Sequence, residues 1–243
     1  MSGVLVADAL SVRYGGLDAL TGVSFTLTQG ESVGLIGSNG SGKSTLVDVL
    51  SGIVIPHAGR VHLHGDDVTR LSAARRTRRG IARTFQRVAS FRGLTVAEHR
   101  AVALAGAFRP RQILARSAEV LLREAGVDVD SAVPAEALPA AVRRLLDVAR
   151  ALWTGPEVLV LDEPFAGLDE AQSAALLRCL HACRDHDLTL LLVEHRFTEL
   201  FAVADRLLVL GSGRLIADGV PDEVVERDDV VRSYQGFVIP AGP

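Results

Sequence analysis

Apolar and polar positions along the chain predict two strand-rich stretches separated by a helical one. Residues 4–36 have the pattern of strands, with turns at Tyr14-Gly15-Gly16 and Gln29-Gly30. From about residue 95 to residue 152 the apolar positions recur at helical spacing. Strands and helices then alternate, over residues 158–161, 170–185, 189–193, 197–204 and 207–210. This order predicts an α/β sheet core that carries a helical insertion.

The third predicted strand leads into a glycine-rich segment that matches the phosphate-binding pattern G-x-x-x-x-G-K-[ST]. The segment is Gly37-Ser38-Asn39-Gly40-Ser41-Gly42-Lys43-Ser44-Thr45, and it lies between an apolar run at residues 33–36 and a helix face that Gly52 closes. Glycines let such a loop turn its N–H groups toward an anion at the helix N-terminus. The alternative is a glycine-rich turn that binds nothing, but the strand, loop and helix order favours nucleotide phosphates.

Each residue type in the loop has a role in phosphate chemistry. We expect Lys43 to reach the β- and γ-phosphates, Ser44 to place its hydroxyl on Mg²⁺, and Thr45 to support the α-phosphate side. Lys43 is the only lysine among 26 basic residues. A chain that otherwise uses arginine has lysine where a planar guanidinium would not fit between phosphates, and this composition strengthens the interpretation.

Two further polar sites follow predicted central strands. Asp162 and Glu163 come directly after the apolar residues 158–161, and His195 comes shortly after residues 189–193. Ligands of open α/β sheets bind at the carboxyl ends of strands. We therefore expect Asp162 to hold Mg²⁺ through water, Glu163 to orient and polarise the attacking water, and His195 to lie beside the γ-phosphate. Taken alone, each of these residues is more often structural.

The bulk composition narrows the class of protein. The 243 residues are 48% hydrophobic and 23% charged, and the net charge of −3 argues against a nucleic-acid-binding surface. No secretory signal pattern is present, and the longest apolar stretches are far shorter than the ~18 residues of a membrane span. We expect a cytosolic protein, unless a partner holds it at a membrane.

Three other groups of residues have an ordinary structural interpretation. The basic run Arg75, Arg76, Arg78 and Arg79 is typical of a solvated helix face. Cys179 and Cys183 share a helical stripe and are expected to be buried reduced thiols, although His181 nearby leaves a metal site conceivable. His62 and His64 alternate on a short strand, where the polar face of the strand explains them without a metal.

Taken together, these motifs resemble the nucleotide-binding subunits of ATP-binding cassette (ABC) transporters over almost the whole chain. The resemblance implies that Tyr14 stacks on adenine and that Gln86 senses Mg²⁺, water and the membrane partner. It also matches residues 161–163 to the Walker B motif, residues 165–169 to the D-loop and His195 to the switch histidine. The implied cofactors are ATP and Mg²⁺, with Ser44, Asp162 and Gln86 at the metal.

The resemblance also implies an architecture. It is a P-loop NTPase fold of the ABC-ATPase type, with a mixed sheet core, an antiparallel β subdomain and a helical subdomain. A single ABC ATPase domain would comprise a RecA-like core at about residues 1–86 and 153–220, a helical subdomain at about 87–152 and a C-terminal segment at 221–243. A finer resemblance, to ATPases of branched-chain amino-acid importers, rests on residues 80–86, on Val193-Glu194-His195 and on residues 228–236. It leaves urea and short amides open as substrates.

The chain departs from this family at its signature motif. Leu138-Pro139-Ala140-Ala141-Val142 stands where the family has LSGGQ or a close variant, so the serine hydroxyl, both glycines and the glutamine are absent. In the family, this motif closes over the ATP of an opposing subunit. Removing one preorganised donor typically costs about 10²- to 10³-fold in rate. We therefore expect an asymmetric pair in which a different ATPase subunit supplies an intact signature.

Several alternative functions remain open beside this hypothesis, and the resemblance also implies binding partners. The backbone N–H groups of Ala140 and Ala141 could suffice, or the chain could be a non-hydrolysing regulatory subunit. A ribosome- or DNA-associated cassette is disfavoured because the chain has neither a second cassette nor a coiled-coil arm, and a GTPase because no N-K-x-D motif is possible without another lysine. We expect two transmembrane permease subunits as partners at the cytoplasmic face of the membrane, contacted by residues 88–95, with Phe91 as an apolar contact.

Overall fold

A computed structural model describes residues 3–84, 93–109 and 111–233 of the chain. These residues contain both strands and helices. The strands are β1 (Gly3–Tyr14), β2 (Leu17–Thr28), β3 (Ser32–Gly37), β4 (Ala58–Leu63), β5 (Asp66–Asp67), β6 (Ile81–Arg83), β7 (Val158–Asp162), β8 (Thr189–Val193), β9 (Arg206–Gly211) and β10 (Arg214–Gly219). The helices are α1 (Lys43–Ser51), α2 (Ala73–Thr77), α3 (Val96–Ala105), α4 (Gln112–Glu124), α5 (Ala140–Trp153), α6 (Glu170–Arg184), α7 (Phe197–Val203), α8 (Pro221–Val225) and α9 (Asp228–Ser233).

The strands form two sheets of different kinds. An antiparallel sheet has the order β2-β1-β4-β5, and a second sheet has the order β10-β9-β3-β8-β7-β6. In the second sheet the neighbouring strands from β9 to β6 run parallel, whereas β10 pairs antiparallel with β9 at the edge. The predicted mixed sheet core with an antiparallel β subdomain is confirmed.

Both faces of the parallel sheet are covered, which explains its continuous apolar strands. Leu159, Leu161, Leu190 and Leu192 point into a core shared with helices α4 to α7. The alternate residues, such as Val158 and Leu191, point into a second core with α1 and the antiparallel sheet. Because side chains alternate across a strand, burial on both faces requires an apolar residue at nearly every position.

The three central strands end at one edge of this sheet. Leu35 of β3 pairs with Val193 of β8, and Asp162 of β7 pairs with the same Val193. The loops that leave β3, β7 and β8 therefore emerge side by side. They carry the glycine-rich segment, the carboxylate pair and the histidine that the sequence singled out.

The insertion between β6 and β7 is helical, as predicted. Its helices α3, α4 and α5 lie within the stretch whose apolar spacing indicated helices. Helix α3 begins with a capping box in which the Thr95 hydroxyl accepts from the Glu98 N–H and the Glu98 carboxylate accepts from the Thr95 N–H. The division of the chain at about residues 86 and 152 stays a prediction.

Cys179 and Cys183 are buried free thiols on α6, and the Cys179 Sγ lies 3.6 Å from the carbonyl oxygen of Ser117 on α4. None of the described helices combines the length and the apolar character needed to cross a membrane.

The prediction that the basic run is a solvated helix face is wrong for Arg76. Its side chain is fully buried, and its guanidinium donates to the carbonyls of Val49 and Leu50 at 2.6 and 2.7 Å, at the C-terminus of α1. It also donates to the carbonyls of Thr69 and Leu71. Burial lowers the pKa of Arg76 to about 10. A buried cation thus supplies hydrogen bonds to carbonyls at the C-terminus of a helix, where the helix itself offers few donors.

We expect Arg76→Met to lower the free energy of unfolding by about 3 kcal/mol, because its hydrogen bonds to four carbonyls are lost at on the order of 1 kcal/mol each. The measurement is urea unfolding followed by the fluorescence of Trp153, the single tryptophan, which is buried. Arg79→Met is the control: this neighbour is 53% exposed in an ion pair with Asp66, and we expect a change within about 0.5 kcal/mol. Equal losses in both variants would contradict the role given to Arg76.

Candidate active site

The glycine-rich loop connects β3 to α1 in a space that tolerates no side chains at two of its glycines. A Cβ at Gly42 would lie 2.6 Å from the carbonyl oxygen of Ala19, and one at Gly37 would overlap the carbonyl oxygen of Leu210. Gly42 also has a φ of 106°, which favours glycine. Helix α1 begins immediately afterwards at Lys43, so the loop and the N-terminus of the helix form one concave backbone surface.

Lys43 lies folded into this loop. Its Nζ donates to the carbonyls of Gly37 at 2.7 Å and Ser38 at 3.0 Å. Burial lowers the pKa of Lys43, and the nearby carboxylates of Glu163 and Asp162 act in the opposite direction. The buried hydroxyl of Ser41 has no hydrogen-bond partner among the residues that the structure describes. A loop with a buried ammonium, an unused hydroxyl and a helix N-terminus fits an anionic ligand such as phosphate.

Asp162 ends β7 and is held from the neighbouring strand β6. Its N–H donates to the Thr84 hydroxyl at 3.2 Å, and its Oδ2 accepts from Arg83 at 3.2 Å. Burial raises the pKa of Asp162, and the charge of Arg83 opposes that shift. The buried Asp162 carboxylate lines the same cavity as Ser44, and a carboxylate with a hydroxyl suits Mg²⁺, which takes one or two carboxylates together with phosphate oxygens and waters.

Glu163 turns the chain sharply after β7. Its φ of 49° is in the left-handed region, which is unusual for a residue with a side chain. Its backbone is secured on both sides, since its N–H donates to the Val193 carbonyl at 2.8 Å and its carbonyl accepts from Arg144 of α5 at 2.9 Å. The Glu163 Oε1 lies 3.6 Å from the Nε2 of His195. The structure therefore brings the predicted water-orienting carboxylate next to the predicted histidine.

Glu194 is a buried carboxylate that the sequence reasoning did not assign a role. Its Oε1 accepts from the Phe165 N–H at 2.9 Å, and its Oε2 accepts from the N–H groups of His195 and Arg196 at 3.0 and 3.3 Å. Burial raises the pKa of Glu194. The carboxylate ties the loop after β7 to the loop after β8 and so fixes the position of His195. Its signal in the sequence was a charged residue directly after four apolar ones.

A cavity of about 510 Å³ collects the predicted residues at the edge of the sheet. Tyr14 lines the cavity and is 50% exposed, so its ring is accessible for stacking on an aromatic ring of a ligand. The sequence did not single out Leu17 and Asp18, which line the same side. The predicted residues that line the cavity are Tyr14, Asn39, Gly40, Gly42, Lys43, Ser44, Thr45, Asp162, Glu163 and His195.

The remaining predicted residues fall into two groups. Gly37, Ser38 and Ser41 belong to the same loop but do not line the cavity. Gln86, expected at the metal, lies outside the described residues, as does Phe91.

Arg83 and Glu194, which hold the carboxylate and the histidine loop, were missed as site residues because a charged residue near a strand end is ordinarily exposed.

The replaced signature begins α5. Pro139 precedes the first turn without a side-chain cap, and both Pro139 and Ala140 are exposed. Val142 is buried, so its side chain packs into the protein. The segment does not line the cavity of its own chain.

A strand, glycine loop and helix with a buried lysine, facing an Asp-Glu pair and a histidine, define a P-loop nucleotide hydrolase. Comparisons with known proteins agree. The ABC transporter family model matches residues 20–166. BraF of Pseudomonas aeruginosa, a high-affinity branched-chain amino acid transport ATP-binding protein, is 31% identical over 96% of this chain and 98% of its own. The corresponding protein LivG of Salmonella typhimurium is 34% identical over the same shares.

Solved structures give the same result. A nucleotide-free ATP-binding cassette of an ABC transporter has a TM-score of 0.81 and 27% identity, over 97% of this chain and all of that one. A cassette in its ADP conformation has a TM-score of 0.82 and 28% identity, over 98% and 100%. The chain belongs to the ABC transporter family and is an ATP-binding cassette. It is therefore the ATP-hydrolysing subunit of a transporter.

We expect Glu163→Gln to lower kcat by about 10²- to 10⁴-fold while leaving the Kd for ATP unchanged, because the amide keeps the shape of the side chain and loses the base. The two quantities are ATP hydrolysis by the assembled transporter and nucleotide binding to the purified chain. Glu157→Gln is the matched control, since Glu157 adjoins the opposite end of β7. The role given to Glu163 would be wrong if both variants kept the parental rate.

Proposed function

We propose that this chain powers the import of branched-chain amino acids or related small polar solutes, including urea or short amides. The observation that carries the proposal is similarity over nearly full length to BraF and LivG, whose names describe such transport. The solute itself would be selected by other subunits, because the cavity of this chain is the nucleotide site. Two permease subunits would hold the chain at the cytoplasmic face of the membrane.

The residues of the cavity divide the work of hydrolysis among them. Lys43 would exchange its two loop carbonyls for the β- and γ-phosphates, and Tyr14 would stack on adenine. Ser44 and Asp162 would hold Mg²⁺, Asp162 through water, and the ion would neutralise charge on the phosphates. Glu163 would accept a proton from the attacking water, and His195 would contact the γ-phosphate. Gln86 is proposed to complete the metal site.

We propose that the chain forms one half of an asymmetric ATPase pair. Its own sequence retains Glu163, His195 and Gln86, whereas residues 138–142 offer only backbone N–H groups to the nucleotide of the partner. Alanine methyl groups also obstruct the close approach that glycine allows. A different ATPase subunit with an intact signature would then make the site of this chain competent, while the site of the partner turns over slowly.

The same segment supports a second candidate, a non-hydrolysing regulatory subunit. The absence of the serine hydroxyl and both glycines favours it. The geometry of Glu163 and His195 favours hydrolysis, since their side chains lie 3.6 Å apart beside the loop.

Residues 88–95 remain the expected contact with a permease, and a groove between α2 and α3 is proposed as a further part of that contact. It has a volume of about 420 Å³ and adjoins the apolar outer face of α3, where Val102 is 50% exposed. Ala74 and Thr77 line its other wall. A short amphipathic helix of a permease would fill such a groove, in the way that helices occupy apolar grooves in other complexes.

We expect restoration of the signature to give activity to the chain alone. Pro139→Ser, Ala140→Gly and Ala141→Gly together should raise ATP hydrolysis of the purified chain by about 10²- to 10³-fold, because a hydroxyl donor and close backbone approach return to the facing site. The control set carries Pro139→Ala in place of Pro139→Ser and so differs by one hydroxyl oxygen.

Mixing experiments test the asymmetric pair itself. Activity should rise when the parental chain is combined with an ATPase subunit that has an intact signature, and Glu163→Gln should remove the gain. If the parental chain alone hydrolyses ATP as fast as the mixture does, the asymmetric model is wrong. If no mixture is active while ATP still binds, the regulatory subunit becomes the better proposal.

We expect Val102→Asp to abolish transport by the assembled complex while nucleotide binding to the isolated chain is unchanged, because a carboxylate at this position would replace the contact for the apolar face of the amphipathic helix. Solute uptake into vesicles that contain the complex is the measurement. The control is Val120→Asp on α4, which places the same charge at a valine of similar exposure, 48%, outside the groove. Normal uptake by the Val102 variant would place the permease elsewhere.

A further inference from the structure

Arg83 occupies a position between the two elements that would carry the Mg²⁺ ligands. It is the last residue of β6, and its side chain is only 10% exposed. On one side its Nη2 donates to the Asp162 Oδ2 at 3.2 Å. On the other side its Nη1 forms an ion pair with Asp48 of α1 and lies 3.2 Å from the Ser51 hydroxyl. One guanidinium group therefore joins the carboxyl end of β7 to the helix that starts at the phosphate loop.

We propose that Arg83 is a positioning residue for the metal of the nucleotide site, acting through Asp162. The inference rests on the proposed use of Mg²⁺. The Ser44 hydroxyl is fixed to α1 and the Asp162 carboxylate to β7, so the distance between them depends on how α1 and β7 are held together. The bridge through Arg83 holds both elements, and it orients the Asp162 carboxylate by engaging Oδ2. Oδ1 then remains to accept from a water on the ion.

Hydrogen bonds to the neighbouring backbone hold the Arg83 side chain in place. Its Nε donates to the carbonyl of Thr84 at 3.2 Å, and the Thr84 N–H donates to the Val160 carbonyl at 3.0 Å. The Thr84 hydroxyl in turn accepts from the Asp162 N–H. Arg83 at the end of β6 and Thr84 directly after it thus hold the side chain and the main chain of Asp162. Removing a residue that hydrogen-bonds to a metal ligand, without contacting the metal itself, commonly lowers metal affinity by about 10- to 100-fold.

Arginine is required here by geometry as well as by charge. A planar guanidinium presents nitrogens in two directions and can reach two carboxylates on different elements at once. A lysine would keep the positive charge, but its single ammonium group could not span Asp48 and Asp162 in the same way. Arg83→Lys therefore keeps the positive charge but loses the link between Asp48 and Asp162, and Arg83→Met loses both the charge and the link.

The experiment measures the Mg²⁺ requirement of nucleotide binding by the full chain. A fluorescent ADP analogue is titrated in EDTA and then with increasing Mg²⁺, and Mn²⁺ bound in the presence of ADP is counted by electron paramagnetic resonance. We expect Arg83→Met to raise the half-saturating Mg²⁺ concentration about tenfold and to weaken Mn²⁺ binding similarly. The affinity for ADP in EDTA should change less than about twofold, since the phosphate loop is intact. Arg83→Lys should recover only part of the loss.

The matched control is Arg206→Met. Arg206 also joins two carboxylates, Glu31 and Asp218, at 2.6 and 2.7 Å, and neither partner lines the nucleotide cavity. This variant loses a comparable pair of ionic contacts, so it reports what general destabilisation does to the measurement. We expect its Mg²⁺ requirement to equal that of the parent.

Several outcomes would overturn the inference. It is wrong if Arg83→Met requires no more Mg²⁺ than the parent, or if its ADP affinity falls equally with and without metal. If Arg83→Met does not fold, Arg83→Lys and Asp48→Asn decide, and parental Mg²⁺ requirements in both would overturn it. A parent whose ADP binding is indifferent to Mg²⁺ would instead refute the proposed cofactor, and the inference would fall with it.

Discussion

The register of the parallel sheet is the constraint on which the site depends. Val193 of β8 is paired on one side with Leu35 of β3 and on the other with Asp162 of β7, so the carboxyl ends of the three strands lie within two residues of one another. Residues far apart in sequence consequently leave the sheet at the same edge. A shift of one residue in either pairing would move a loop by about 3.3 Å and reverse which side chains face each core, which the burial of both faces prevents.

Arginine and glutamate side chains hold α1 and the loops at this edge in place. Arg76 donates to carbonyls at the C-terminus of α1, Arg83 joins α1 to β7, and Arg144 donates to the Glu163 carbonyl. Glu194 does the corresponding work for the histidine loop by accepting from three backbone N–H groups. Buried charges of this kind are costly to desolvate, so their net contribution to stability is smaller than their number of hydrogen bonds suggests. Their value lies in fixing backbone geometry where an apolar contact would leave loops free to shift.

The sequence was sufficient for the elements whose signals are local. The glycine loop is contiguous, and strands such as β7 and β8 are runs of five buried residues, so their positions could be predicted closely. Arg76 could not be predicted, because it lies in a run of four arginines whose other members are not buried, and only the tertiary position of α1 distinguishes it. Arg83 and Glu194 were missed for the same reason: a charge at a strand end is ordinarily solvated, and their partners are distant in sequence.

Lys43 has a chemical consequence that follows from its being the only lysine. Apart from the N-terminal amine, the chain has one primary amine, and that amine lies in the cavity proposed to bind nucleotide, donating to the carbonyls of Gly37 and Ser38. Acylating reagents directed at amines would therefore modify the folded protein at a single side chain, and a lysine-specific protease has one peptide bond to cut, within the phosphate loop. A ligand in the cavity would protect that one amine from acylation, so the extent of acylation reports how much of the cavity is occupied, and no label has to be introduced.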